Sequence, residues 1–260
     1  MPGTVSTAHP TGTADTTAPT AAENHEAEPV EAGPVEAEPV EAGPIQAEEP
    51  HVDRAGTGQG DAGLLRLALI VGSVREGRFG PVVSRWFAEE ARKHGAYEVD
   101  VIDLAEAEHE LPVAFTKFGA PMPPAVEAVH TRLSRRLAAA DAFVVVTPEY
   151  NHSFPAPLKN TIDWFRDEWQ AKPAGFVSYG GMAGGQRAVE HLRQVFAELH
   201  AVTVRETLSF HMAWERFDRD GRPRDEAGSS AAAARMLGQL EWWGSALREA
   251  RAKSPYGAAS

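Results

Sequence analysis

Three short stretches of this 260-residue chain carry side chains whose type and spacing suit chemistry. The first reads Gly72-Ser73-Val74-Arg75-Glu76-Gly77-Arg78-Phe79-Gly80-Pro81, with Val82 next. It offers a hydroxyl, two guanidiniums and a proline placed for the first turn of a helix, whose free N–H groups attract anions. Gly72 and Gly77 have the glycine spacing of a P-loop, but Arg78 and Phe79 stand where Lys and Ser/Thr are required, and G-x-G-x-x-G is absent. A phosphate monoester suits this stretch; an ATP-type or ordinary dinucleotide site does not. The competing reading is a plain turn with two solvated arginines. The second stretch runs from Thr147 through Pro148, Glu149, Tyr150, Asn151, His152 and Ser153 to Trp164. A rigid, proline-flanked turn of this kind suits a flat heteroaromatic ligand: backbone groups reach ring nitrogens and carbonyls, and Tyr150 offers a face or an edge. Trp164 reads as packing and His152 as a surface residue. The third, Ser178-Tyr179-Gly180-Gly181-Met182-Ala183-Gly184-Gly185, lets backbone approach a ligand closely, although a flexible turn explains four glycines equally well. His211 and Trp214 offer a weaker candidate for a substrate wall. The ten histidines show no H-E-x-x-H spacing, and no nucleophile triad, carboxylate pair or metal constellation is found. No catalytic side chain and no metal ligand is therefore assigned.

The elements around these stretches alternate between strand and helix. Leu65–Val71 reads as a buried strand, Pro81–His94 as a helix, Tyr97–Leu104 as a strand and Ala125–Ala139 as a helix, after a Pro-rich loop over Leu111–Pro124. Ala142–Val146 is a short, fully apolar strand. Ala156–Trp169 carries Leu158, Ile162 and Phe165 at helical spacing. A strand Ala174–Tyr179, a helix Gln186–Leu199, a strand Val202–Phe210 and a final helix of about Ser230–Lys253 follow, the last with Met236, Leu240, Trp243 and Leu247 on one stripe. Connections this long exclude hairpins and predict an α/β fold: a doubly wound, five-stranded parallel sheet of flavodoxin-like order 2-1-3-4-5, with helices on both faces. Ligands bind such sheets at the carboxyl ends of the strands, beside the switch point between strands 1 and 3. All three stretches fall at those ends.

Composition divides the chain. Residues 1–63 hold 12 acids, a single base (Arg54) and no aromatic residue, and EAEPV/EAGPV-type units repeat four times from Glu26 to Ile45. Proline every fifth residue blocks a helix, and nothing there can build a core, so 1–63 is expected to be a disordered acidic tail. Residues 64–260 hold 25 acids and 24 bases, the size of one domain. A folded part so nearly neutral gives nucleic acid no electrostatic footing. No apolar run approaches the ~20 residues of a membrane span, no signal peptide is evident, and the absence of cysteine fits a reducing compartment, hence a cytoplasmic expectation.

The pieces GSVREGRFGPVVSRW, PEYNHSFPAPLKNTIDW and SYGGMAGG, in that order, resemble the NADPH-dependent FMN reductase family over roughly Leu65 to Phe217. The resemblance implies FMN held non-covalently, NADPH or NADH as co-substrate, and a homodimer or tetramer. It also implies a hydride passed through the flavin to a small acceptor: quinone, free flavin, azo compound or metal oxyanion. It further implies that Ser73, Arg75, Arg78, Phe79, Gly80, Pro81 and Val82 bind the FMN phosphate. Pro148, Glu149, Tyr150 and Asn151 would line the isoalloxazine, with Ser178, Gly180 and Gly181 on its other side. Two alternatives are a flavodoxin-type electron carrier and a non-enzymatic flavin-binding module. The arginines of the first loop and the uncharged balance of the domain argue against the carrier, and the intact loops argue against the inert module.

Overall fold

A strand as apolar as that beginning at Ala142 is stable only in the middle of a sheet covered on both faces. The computed structural model of the protein, which describes residues 63–106, 109–113 and 121–257, places it there. Strand β3 (Ala142–Pro148) is buried at every position and lies between β1 (Leu65–Val71) and β4 (Pro173–Gly180), with β2 (Tyr97–Asp103) and β5 (Val202–His211) at the edges. All neighbours run parallel, in the order β2-β1-β3-β4-β5, as expected from sequence. The register pairs Val71 with both Asp103 and Val146, and Pro148 with Tyr179. One edge of the sheet therefore collects the carboxyl ends of β1, β2, β3 and β4. The acidic repeat lies outside the described residues, as does part of the Pro-rich loop after Leu111.

Two apolar clusters clamp the sheet. On one face α1 (Gly80–His94) supplies Val83, Trp86, Phe87 and Ala91, and α6 (Glu226–Lys253) supplies Met236, Leu237 and Leu240. On the other, α2 (Pro124–Ala139) gives Leu133 and Leu137, α3 (Ala156–Asp163) gives Leu158 and Ile162, and α4 (Gln186–Glu198) gives Leu192 and Phe196. A one-turn helix α5 (Ala213–Arg216) follows β5. Helix α6 begins earlier than its apolar stripe suggests, because Asp225 caps it by accepting from Gly228 N at 3.0 Å. At 28 residues, roughly 42 Å, it outruns the strands, so Met236 and Leu240 are buried while Trp243 lies at the surface.

One expected element is shorter than its periodicity implies. Helix α3 stops at Asp163 instead of Trp169. The 3–4 spacing of Leu158, Ile162, Phe165 and Trp169 persists, but the last two are carried by turns. Trp169 is fully buried, and its Nε1 donates to Ile162 O at 3.2 Å and Phe165 O at 3.0 Å, satisfying carbonyls that a continuing helix would have paired. Its ring meets Phe143 at 4.8 Å and Phe196 at 5.5 Å, both edge-on. Phe165 is buried as well, so both rings pack inward beyond the end of the helix.

Candidate functional site

The first loop leaves β1 with Gly72 N still bonded to Val146 O, and turns at Arg75–Arg78 through an Arg78 N to Arg75 O bond. Arg78 then folds back. Its guanidinium grips the Asp103 carboxylate in a bidentate pair (Nη2–Oδ2 2.9 Å) and donates to Ser73 O at 3.0 Å. Asp103 is available because it ends β2 opposite Val71. The hydrogen bond to Asp103 raises the Arg78 pKa further above its ordinary value. Arg75 is the contrast: it is exposed, and its side chain has no partner among the described residues.

Helix α1 starts without a cap. Phe79 occupies the N-cap position with no side-chain hydrogen bond, Pro81 follows, and the first turn contains no acid. The Phe79 ring instead turns inward onto Tyr179 at 6.1 Å and Phe217 at 5.4 Å. Val82 is half-buried beside it. Gly80 is buried, and a Cβ there would stand 2.8 Å from Tyr179 Oη and 3.1 Å from Val71 Cγ1; only glycine lets the tyrosine reach beneath the helix. Tyr179 Oη is the one side-chain polar atom among the described residues that is buried without a hydrogen-bond partner. Burial pushes its pKa well above the usual phenol range. Ser73 lies near enough to influence it, but the two do not meet in hydrogen-bond geometry.

Ser73 is fully buried, and its Oγ lies 2.7 Å from Tyr150 Oη, so the first and second stretches touch. Beyond Pro148, the second loop is a two-residue reversal: Tyr150 N donates to Ser153 O at 2.8 Å and Ser153 N to Tyr150 O at 3.2 Å. Asn151 (φ 50°) and His152 (φ 74°) both take left-handed backbone, as a primed turn requires. Both side chains are exposed. Glu149 turns away from the loop. Its nearly buried carboxylate accepts from Arg187 N at 3.2 Å and Arg187 Nη1 at 3.0 Å, which caps α4 and ties the second loop to the third.

In the third loop Ser178 is a brace. Its Oγ donates to Gly184 O at 2.8 Å, as does Ser209 Oγ. His211 Nδ1 donates to Met182 O at 2.6 Å, and Met212 N to Gly181 O at 3.0 Å. Gly180 and Gly181 remain half-exposed at the strand end. The nearest group to Gly181's open side is Trp214, at 3.8 Å, and Trp214 and Met182 are 59% and 90% exposed. Ser73, Tyr150, Gly180 and Gly181 thus surround one edge of the sheet, with the uncapped α1 terminus and Arg75 beside them. Arg78, Glu149 and Ser178 hold the loops together. Sequence reasoning missed Asp103, Tyr179 and Arg187. Asp103 was visible as an acid at the end of strand 2, but its partner was not.

An α/β sheet of this order, with an uncapped helix terminus after β1, a rigid turn after β3 and a glycine loop after β4, is the framework of a flavin-binding reductase. The sequence pattern described as NADPH-dependent FMN reductase matches residues 65–215, and the chain belongs to that family. It is 34% identical over 172 residues to an NADPH:quinone oxidoreductase of Arabidopsis thaliana, covering 63% of this chain and 84% of that protein. It is 35% identical over 134 residues to an NAD(P)H-dependent FMN reductase of Schizosaccharomyces pombe, covering 47% of this chain and 62% of the relative. In three dimensions it resembles the flavoenzyme NAD(P)H:(acceptor) oxidoreductase FerB of Paracoccus denitrificans, with a TM-score of 0.54 and 23% identity over 72% of this chain and 98% of that one. The chain is therefore an oxidoreductase of a family whose cofactor is FMN and whose reductant is NAD(P)H, not an electron carrier or an inert flavin module. Among the described residues no helix is long and apolar enough to cross a membrane.

Proposed function

We propose that the protein reduces a small, flat, quinone-class acceptor with electrons from NADPH or NADH, and that the three loops hold FMN between them. The observation that carries this reading is the α1 terminus: an uncapped helix end beside a free arginine, a buried serine and an orphaned tyrosine hydroxyl. Such an end attracts a dianionic phosphate through its amides and dipole. Ser73, Arg75 and the free amides of Phe79 and Gly80 would take the phosphate, since Arg78 N and Val82 N are already bonded within the turn and Pro81 has none, with Arg78 setting the position of Ser73. Pro148, Tyr150 and Asn151 would flank the ring on one side, held in place by Glu149. Gly180 and Gly181 would flank it on the other, held by Ser178. When bound, FMN supplies the hydride-accepting chemistry. The chain's own part is to orient the ring and keep its outer face open.

The relatives named as quinone oxidoreductases support the acceptor class, as does the exposed Trp214–Met182 rim beside Gly181. We assign a homodimer or tetramer, and a cytoplasmic location, on the family resemblance and the cysteine-free composition. An anaerobic panel of acceptors with each nicotinamide tests the function. Quinones should be the best acceptors, and a purified protein that neither binds FMN nor oxidises NAD(P)H would sink it. Light scattering that shows only monomer at micromolar concentration would remove the assembly.

A further inference from the structure

Tyr179 belongs to none of the roles above, yet it is the residue the loop is built around. It is the last residue but one of β4, opposite Pro148, lies beneath the first turn of α1, and is 5% exposed. Gly80 leaves it the necessary room. Its hydroxyl lies close to Ser73, among Tyr150, Arg78 and Asp103, and has no partner. Burying a hydroxyl unpaired is costly, so an orphan of this kind needs an explanation.

Ser73 supplies one. A serine hydroxyl has one proton to donate and two lone pairs to accept with. Tyr150 Oη already uses one side of Ser73 Oγ at 2.7 Å. A phosphate dianion at the α1 terminus only accepts, so Ser73 must turn its proton outward to meet it. Both lone pairs of Ser73 then face inward, toward the two tyrosines. The Ser73 backbone cannot follow the rotation, because Arg78 holds its carbonyl at 3.0 Å. Resting on the reading of the first loop as an FMN phosphate site, we propose that Tyr179 is a positioning residue for the cofactor. Phosphate binding recruits its idle hydroxyl to donate to Ser73, so that Ser73 accepts from Tyr150 and Tyr179 while donating to the phosphate. The same three hydroxyls then couple the phosphate subsite to the ring loop through Tyr150.

The prediction has a signature that simple packing lacks. In the full-length, flavin-free protein, Tyr179→Phe removes an unpaired group and should leave the melting temperature equal or higher. It should weaken FMN binding by roughly five- to tenfold, the size of one hydrogen bond, and change riboflavin binding by less than about twofold. In a Ser73→Ala background the same substitution should have no further effect on FMN, because the relay is already cut. Fluorescence titrations of both flavins into the four proteins, with melting curves, decide the matter. Unchanged FMN affinity in Tyr179→Phe overturns the proposal, provided the parent protein still prefers FMN to riboflavin. A lower melting temperature with equal losses for both flavins overturns it in favour of packing. Persistence of the effect without Ser73 overturns the relay. If the parent protein itself binds the two flavins equally, the phosphate reading of the loop falls and takes this proposal with it.

Discussion

Replacing Arg75 by alanine separates the two arginines of the first loop. Arg75 is exposed and gives up no internal contact when it engages a ligand, so its whole interaction with a phosphate should register in affinity. A hydrogen bond to a charged group contributes about 1.5–3 kcal/mol, and solvent exposure places Arg75 at the lower end, so FMN should bind roughly tenfold more weakly to Arg75→Ala. Riboflavin has no phosphate and should bind both forms alike. Added salt should narrow the FMN difference, because an exposed charge is screened. Melting temperature should not move. Arg78→Ala should behave in the opposite way. Its guanidinium and the Asp103 carboxylate are only 18% and 17% exposed, so the substitution strands an acid in a largely dry site and releases Ser73 O. A loss of about 3 kcal/mol in stability is expected, with both flavins weakened together. Fluorescence titration and thermal melting of both variants provide the readings. An Arg75→Ala protein that binds FMN as the parent does, or that loses riboflavin to the same degree, would refute the assignment of the phosphate to Arg75.

Gly185→Ala should cost about 3 kcal/mol in a melt, because the backbone there has φ 85° and a Cβ would lie 2.6 Å from Ser178 Cβ and 3.0 Å from Tyr179 N. Gly181→Ala, with its nearest neighbour 3.8 Å away, should leave stability nearly unchanged and report instead on ligand access. Lys172 donates from a buried site to Leu137 O and Ala138 O, both at 2.9 Å, and burial, reinforced by Arg251, lowers its pKa from 10.5 to about 8. Between those values the unfolded chain holds the proton more tightly, so stability should rise by roughly 2 kcal/mol from pH 7 to 9.5, and Lys172→Met should abolish that rise in urea titrations. Above pH 10 the sign reverses, since burial raises the phenols of Tyr97 and Tyr179. Deleting residues 1–60 should leave melting temperature and specific activity nearly unchanged, and a large loss in either would show that the acidic repeat serves the folded domain.

The strands were the most legible part of the fold. Leu65–Val71 was delimited as it stands, because an unbroken apolar run bounded by Gly72 has one place in a doubly wound sheet. Helix α3 was overread by six residues, because side-chain spacing reports which face is buried, not which backbone bonds persist. Trp169 keeps the spacing while its indole closes the helix. At the site, the three loops were recognisable from local residue types. Their internal wiring was not. Arg78–Asp103 depends on the pairing of β1 with β2, and Ser73–Tyr150 on the pairing of β1 with β3, contacts 25 and 77 residues apart. Tyr179 was invisible for another reason: in a strand that is otherwise apolar and buried, an aromatic ring reads as core, and only coordinates reveal a hydroxyl with nothing to bond.

The open start of helix α1 also bears on how long the protein survives. On the phosphate-site reading proposed above, a chain lacking flavin keeps an unmet helix end and a stranded phenol beside it, whereas a loaded chain would satisfy both. Binding confined to the native state adds RT ln(1 + [L]/Kd), about 2.7 kcal/mol at a hundredfold excess over Kd. When cleavage is slow relative to reclosing, degradation follows the population of opened molecules. Flavin supply would then set the lifetime of the polypeptide as well as its activity, and in a flavin-starved cell the empty molecules would be cleared first.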